Sequence, residues 1–492
     1  AKLLEMSREE LLDLAIRREM ELDSLKRQIY GQRSERHVPA EIINQMKLEL
    51  GQIGESQAPP EMEAISYERK KAKKKKPHPG LYPLPTDLPR KEILIEPEED
   101  TSGMKQIGEE VTEALDFIPA KFLVNRYIRP KYARTDYDPD GGEAGVVCAP
   151  MPARPIDKGI AEAGLLAIIL LDKYLDHLPL YRQIQRFKRA GVNIPDSTIA
   201  DWIAQTCRLL DPLFAVHRRQ VLTQHYLQVD ETTIKVLDRQ KNKQKKNVHL
   251  GYFWVYHSPL QRLVLFDYQP SRRKEEPVKC LKNYQGYLQT DGYAAYNQFG
   301  DKKGIVMLGC MAHARRKFFE AGESDPRVAH ALGVFQKLYA IEATAREHQL
   351  THDQRQKIRE KESKPIWEQF KQWLLGTWKE LTPKHKLNTA IEYMLPRWTQ
   401  LGRYLLNGEL EIDNNLIENQ IRPVALGRKN YLFAGSHNGA RRSAMIYSLL
   451  GTCKLHGIEP YAWLKDILQR LPEHPVNRVE ELLPHNWMRE QS

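Results

Sequence analysis

The stretch YLQVDETTIKVL, residues 226–237, decides the fold. Its β-branched residues and its alternation of apolar with polar positions predict a strand with Asp230 inside it. VHLGYFWVYHS (248–258) and QRLVLFDYQPS (261–271) predict two more strands across polar turns. SRRKEEPVKCLKNY (271–284) then reads as a helix and GYLQTDGYAAY (286–296) as a fourth strand ending in Asp291-Gly292. GIVMLGCMAHARRKF (304–318) reads as a fifth strand running into a basic helix. Three strands at hairpin spacing, a helix and two strands predict an α/β mixed sheet with a right-handed crossover after the third strand.

If the first and fourth strands are neighbours, Asp230 and Asp291 meet at one sheet edge. Asp291-Gly292 alone is a common turn pair. Asp230 is harder to explain away, because a carboxylate buried in a sheet needs a cation or a donor. Paired carboxylates with oxygen-only chemistry suit Mg²⁺ or Mn²⁺. Two such ions form the usual clamp for in-line attack on a phosphodiester.

A third carboxylate is expected, and GELEIDNNLIENQIRPVALGRKNYLFAGS (408–436) supplies it. Asp413-Asn414-Asn415 reads as an N-cap cluster, followed by a short helix that ends or kinks at Pro423. Ile417, Ile421 and Val424 form its buried stripe, and Glu418 projects from the adjoining face. That placement ranks Glu418 above Glu231, Glu411 and Asp413. Arg422, Arg428, Lys429, Arg441 and Arg442 surround it with charge suited to a phosphate backbone. Arg315, Arg316 and Lys317 do the same at the exit of the fifth strand. By itself, a Glu418–Arg422 pair would be a surface ion pair.

The composition agrees with a polyanionic partner. The 492 residues hold 75 Lys plus Arg against 64 Asp plus Glu, a net charge of +11. No window approaches eighteen uninterrupted apolar residues, so no membrane span is expected. The start, AKLLEMSREE, lacks the layout of a signal peptide. Five scattered cysteines argue for a reducing compartment rather than a disulfide scaffold. A cytosolic protein is the resulting expectation.

Eight segments follow. Residues 1–33 have heptad spacing and read either as a coiled coil that pairs two chains or as an amphipathic helix docked on its own domain. Residues 34–92 form a Pro/Lys-rich linker. Within it Arg69–Lys76 holds seven basic residues in eight positions, with Lys73, Lys74, Lys75 and Lys76 as candidate phosphate contacts. Residues 93–150 read as a small β module of degenerate zinc-binding type and 151–222 as helical, with a helix-turn-helix layout at 181–210 whose second helix is capped by Asp196 or Ser197. An ordinary helical hairpin has the same spacing. The core then runs from 223 to 319, is interrupted by a helical insertion at 320–402, and is completed by 403–437. A helical region, 438–492, closes the sequence given.

The set VDET…LQTDGYAAYN…GCMAHARRKF…IDNNLIENQIRPVALGRKNYLFAGS resembles the transposases of the insertion-sequence 66 family. HLPLYRQ, RAGVNIPDSTIADW and IGEEV…IPAKF…RPKYA extend the resemblance over about 77–470. It implies a ribonuclease-H-like core of the Asp-Asp-Glu group, in which Asp230, Asp291 and Glu418 are catalytic and hold two Mg²⁺ or Mn²⁺. It further implies cleavage at inverted-repeat transposon ends, strand transfer into target DNA, a homodimer or larger assembly, and small accessory proteins of the same element. The family's Cys-x-x-Cys pairs are missing: EPEEDTSG stands at the first place, and Arg134 and Tyr137 at the second. No zinc is therefore expected. A structure-specific nuclease of the same fold and a catalytically idle DNA-binding regulator are the alternatives. The intact carboxylates speak against the regulator.

Overall fold

The structure, a computed structural model, describes residues 122–133, 146–157, 159–238, 248–300, 302–322, 325–382 and 384–487. All of these belong to the unit Pro119–Ser492. Segment 1–33, the linker with Lys73–Lys76 and most of 93–150 lie outside the described residues. Of the small module, β1 (Lys131–Ala133) and β2 (Val146–Cys148) are described and pair antiparallel.

Three helices precede the sheet: α1 (Ala163–Tyr174), α2 (Leu180–Arg189) and α3 (Asp196–Leu222). Gly191, at φ +82°, takes the left-handed turn between α2 and α3 that a side chain would strain. The cap of α3 falls one residue earlier than expected. Pro195 is the N-cap, so Asp196 is already helical and makes no capping bond. The buried stripe Ile199, Trp202, Ile203, Leu210 and Leu213 commits α3 to the core. Outward, its first turns show Asp196 and Asp201, which repel phosphate. The exposed cations Arg182, Arg186, Lys188 and Arg189 lie on α2 instead.

The sheet contains β3 (Tyr226–Leu237), β4 (Val248–Ser258), β5 (Leu263–Gln269), β6 (Gly286–Gln289) and β7 (Ile305–Leu308) in the order β5-β4-β3-β6-β7. β3, β4 and β5 are antiparallel, whereas β6 and β7 run parallel to β3. The short helix α4 (Glu275–Cys280) makes the crossover from β5 to β6, and α5 (Met311–Glu320) leaves β7. β3 and β6 are therefore neighbours. Side chains alternate across a strand. Ile234 and Val236 enter the core under α1 and α3, while Leu227 and Val229 face the opposite core with Trp254 and Phe299.

Beyond α5 the chain is helical: α6 (Pro326–Glu347), α7 (His352–Ile358), α8 (Lys364–Glu380), α9 (Lys386–Met394) and α10 (Trp398–Gly402). Their core contains Phe335, Phe370 and Leu374 and reaches the sheet at Tyr226 and Leu308. Trp367 is buried there, but Trp378 is 44% exposed. A polar knot lies inside this unit. The Arg359 guanidinium, fully buried, donates to Glu342 and to the carbonyls of Tyr404, Asn407 and Leu410. Arg355 bridges Glu342 to Glu411 at 2.7 and 2.9 Å. The segment leading back to the sheet is thus held through its own carbonyls.

That segment opens α11 (Asn415–Tyr431), after which α12 (His437–Leu455) and α13 (Pro460–Arg470) pack under the sheet. Of the stop or kink expected at Pro423, the stop does not occur: α11 runs through it to Tyr431. An interior proline costs about 3 kcal/mol. Burial of Val424 and Gly427 and a tether from Arg428 to β3 keep the second half helical.

Candidate active site

The tetrads Leu227-Gln-Val-Asp230 and Leu288-Gln-Thr-Asp291 lie side by side. Leu227 pairs with Leu288 and Gln228 with Gln289 in parallel register. β6 stops at Gln289, two residues short of its expected end, so both aspartates stand just past the last paired rung. Asp230 remains in β3, on the face of Gln228. Its Oδ1 accepts the Glu231 N–H at 2.7 Å. Asp291 starts a turn: its Oδ1 accepts the Tyr293 N–H at 2.8 Å and its carbonyl accepts the Tyr393 hydroxyl at 3.0 Å.

Beneath the aspartates is a buried amide relay. Gln228 Nε2 donates to Gln289 Oε1 at 2.9 Å and to the Asp413 carbonyl at 3.0 Å. Gln289 Nε2 donates to the carbonyls of Glu411 and Gly309, and the Tyr226 hydroxyl donates to Gln289 Oε1. Asn414 Nδ2 reaches the Val229 carbonyl at 3.2 Å. The residue before α11 thus sits against β3 one position from Asp230. Asn414 spends its side chain on β3, and Asp413 Oδ1 accepts the Asn415 N–H at 3.0 Å in its stead. At the other end Arg428 donates to Thr233 Oγ1 at 2.7 Å, and Ala434 exchanges backbone bonds with Lys235 and Leu237. α11 therefore runs along the edge of β3 that β6 leaves open, and Glu418 lies in its first turn.

The electrostatics join the three carboxylates. Burial pushes the Asp230 carboxyl up to about 8, and the negative charges of Glu231, Asp291 and Glu418 add to the rise. A carboxyl in that setting stays protonated near neutrality until a cation compensates it. Glu231 is engaged elsewhere: Oε1 accepts from Arg272, and Oε2 accepts the Tyr296 hydroxyl at 2.7 Å. Glu411 also has partners; burial would raise it, but Arg355 and then Arg346 hold it at about 2. Glu231 and Glu411 are thus committed to arginine and tyrosine partners. Among the described residues no three His, Cys, Asp or Glu side chains stand close enough together to hold a metal ion as they are.

The candidate cations separate by surroundings. Arg315 and Arg316 are exposed on α5, and Lys317 pairs with Glu320 at 3.1 Å. Arg422 and Lys429 are exposed on α11. Arg428 serves as the tether just described, Arg441 bonds Asn438, and Arg442 is half-buried. Cys310 accepts the Asn414 N–H through its sulfur at 3.3 Å, and burial pushes its thiol up to about 12, which makes it inert. Sequence reasoning missed Gln228, Gln289 and Arg272. The repeated Leu-Gln-x-Asp pattern carried the signal for the first two.

Residues 158–442 match the model of the Transposase IS66 family, and 448–485 match the IS66 C-terminal element. The chain belongs to the IS66 transposase family. Residues 18–93 match "Transposase C of IS166 homeodomain", and 99–133 match the zinc-finger binding domain of transposase IS66. Three proteins of Sinorhizobium fredii are similar along most of the chain. Uncharacterized protein y4hP is 31% identical over 96% of this chain and 88% of its own length. Uncharacterized proteins y4jD and y4qI are 34% and 33% identical, covering 83% and 95% of this chain and 82% and 88% of their own.

The zinc-finger match corrects the expectation of a chain without zinc. Missing Cys-x-x-Cys pairs bear only on thiolate ligands, whereas kinship to a zinc finger rests on the pattern of the whole segment. Zinc also binds carboxylate oxygen. Residues 99–133 contain no Cys and no His, so carboxylates are the donors of that kind within the segment. No helix among the described residues is long and apolar enough to cross a membrane.

Proposed function

We propose that this transposase is of the Asp-Asp-Glu type, with a ribonuclease-H-like core that cuts DNA at the ends of its element and joins the ends to target DNA. One observation carries the reading: Asp230 and Asp291 flank the last rung of a parallel pair, and burial together with Glu231, Asp291 and Glu418 leaves Asp230 in want of a cation. The strand order, with three antiparallel strands followed by two parallel ones, supports the core assignment.

Asp230, Asp291 and Glu418 would hold two Mg²⁺ or Mn²⁺. When bound, such ions activate the attacking oxygen and stabilise the leaving oxygen of a phosphodiester. The protein's part is to fix the carboxylates: β3 and β6 set the two aspartates, and the amide relay with Asn414 sets the start of the Glu418 helix. Arg315, Arg316, Arg422 and Lys429 are placed to meet phosphates of end and target DNA.

The test uses duplexes that carry the inverted repeats of the element. Asp230→Asn should abolish Mg²⁺-dependent cleavage and leave DNA binding intact; persistent cleavage overturns the assignment. Precut ends incubated with a target plasmid should give products longer than the donor. Cleavage without such products identifies a nuclease.

A further inference from the structure

Arg272 lies in the loop after β5, away from every cluster of cations picked out by sequence. Its Nε and one terminal nitrogen donate to Glu231 Oε1 at 2.9 and 2.5 Å. Its guanidinium lies 3.8 Å over the Tyr293 ring, and its side chain is 45% exposed while that of Glu231 is 4% exposed. Both supports are tied to the catalytic strand ends. Glu231 directly follows Asp230 and is fixed from behind by Tyr296, and the Tyr293 N–H holds Asp291 Oδ1.

We propose that Arg272 is a DNA-phosphate contact that positions the strand to be cut across Asp230 and Asp291. A guanidinium has five N–H donors. Glu231 takes two, and among the described residues no other hydrogen bond takes the remaining three on this half-exposed side chain. An arginine whose plane is already fixed by a carboxylate and an aromatic face loses little freedom on binding a phosphate and presents a planar fork to it. Glu231 and Tyr293 hold Arg272 beside the segments that carry Asp230 and Asp291. Arg272 and Arg422 would then meet phosphates flanking the scissile bond. The assignment rests on the function proposed above, but its first readout does not need cleavage.

The experiment compares wild type, Glu231→Gln, the double variant Glu231→Gln with Arg272→Ala, and Arg272→Lys. Glu231→Gln retains the arginine and removes the buried charge that Arg272→Ala alone would strand. Affinity for an inverted-repeat duplex is measured against KCl concentration, with Mg²⁺-dependent cleavage and a thermal melt alongside. The slope of log affinity against log salt should drop by about one between Glu231→Gln and the double variant, the loss of one phosphate contact. Cleavage should fall on the order of tenfold or more with no change in melting temperature. Arg272→Lys should retain the slope, as a point charge does, and lose cleavage through the missing fork. Equal slopes for Glu231→Gln and the double variant overturn the proposal. Should the wild type cut no DNA, the proposed function fails, and the salt slopes still decide the role of Arg272.

Discussion

Gln228 Nε2 donates to Gln289 Oε1 at 2.9 Å, one rung beneath Asp230 and Asp291. This side-chain bond adds to the backbone pairing of the two strands that bring the aspartates together. The same two amides also hold the backbone of Glu411 and Asp413. Three segments that are distant in sequence thus converge on one fully buried pair. Gln289→Leu would leave the Glu411 and Gly309 carbonyls without the Gln289 amide, and the Tyr226 O–H and one Gln228 N–H without their acceptor. At about 1–3 kcal/mol for each stranded buried group, with partial relaxation, the variant should lose roughly 3 kcal/mol in urea unfolding. A loss below about 0.5 kcal/mol, the range of an ordinary surface substitution, would show that the relay does not hold the site.

Asp230 makes stability depend on pH in a definite direction. Its folded carboxyl sits near 8, above its ordinary value, so the folded state binds the proton more tightly than the unfolded one. The resulting stabilisation is complete below about pH 4 and is lost as pH rises through 8. Metal-free protein should therefore melt lower at pH 9 than at pH 6, with part of that drop absent from Asp230→Asn. Mg²⁺ should raise the wild-type melting temperature at pH 8 and leave the variant's nearly unchanged. A wild type indifferent to both pH and Mg²⁺ would sink this account.

Much of this site can be read in the sequence, because its logic is local. Two Leu-Gln-x-Asp tetrads on predicted strands, and a Glu418 helix behind an Asp413-Asn414 start, need only periodicity and cap chemistry. The relay was not legible, since Gln228 is an unremarkable polar position until Gln289 and the Asp413 carbonyl are placed beside it. Arg272 was hidden for a similar reason: its meaning comes from Tyr293 and Glu231, each on a different element. At Pro423 propensity allowed a stop or a kink, and packing against β3 overrides the stop. The expectation of no zinc at 99–133 failed because the missing Cys pairs were taken as the whole signal, although the resemblance already covered that segment.

The buried knot of the helical insertion yields a third prediction. Glu342, 1% exposed, accepts from both Arg355 and Arg359. Removing its charge leaves the buried Arg359 without a carboxylate partner and Arg355 with Glu411 alone. Glu342→Gln should cost about 3–5 kcal/mol, the range for breaking a buried ion pair from one side. Because Arg355 also holds Glu411, the variant should lose cleavage more than DNA binding. The partner test is acidic pH. Glu411, held at about 2, stabilises the fold above its ordinary value near 4.5, and that contribution is lost as pH falls through 2. Glu411→Gln should flatten the wild-type decline in stability below pH 4; an identical acid limb in both proteins would contradict it.

The end of α11 stores strain that can be released. Leu432 adopts φ 63° and ψ −41°, and the Phe433 N–H closes a three-residue turn onto the Tyr431 carbonyl at 2.7 Å. This is the rarer hand of γ-turn, strained for any residue with a Cβ. The turn is imposed from both sides: α11 must follow β3, and Ala434 must pair back with Lys235 and Leu237. The Leu432 side chain is 60% exposed, so it recovers little by burial. Leu432→Gly should relieve about 1–3 kcal/mol of backbone strain. Against this stands a glycine entropy cost of about 0.5–1 kcal/mol. The net expectation is a gain of about 1 kcal/mol, read as a higher urea midpoint with an unchanged slope. If DNA binding weakens while stability rises, the exposed leucine is itself part of the nucleic-acid surface between Lys429 and Arg441. If binding is unchanged, the turn serves only to return the chain to β3. A variant less stable than wild type would show that the turn is not strained.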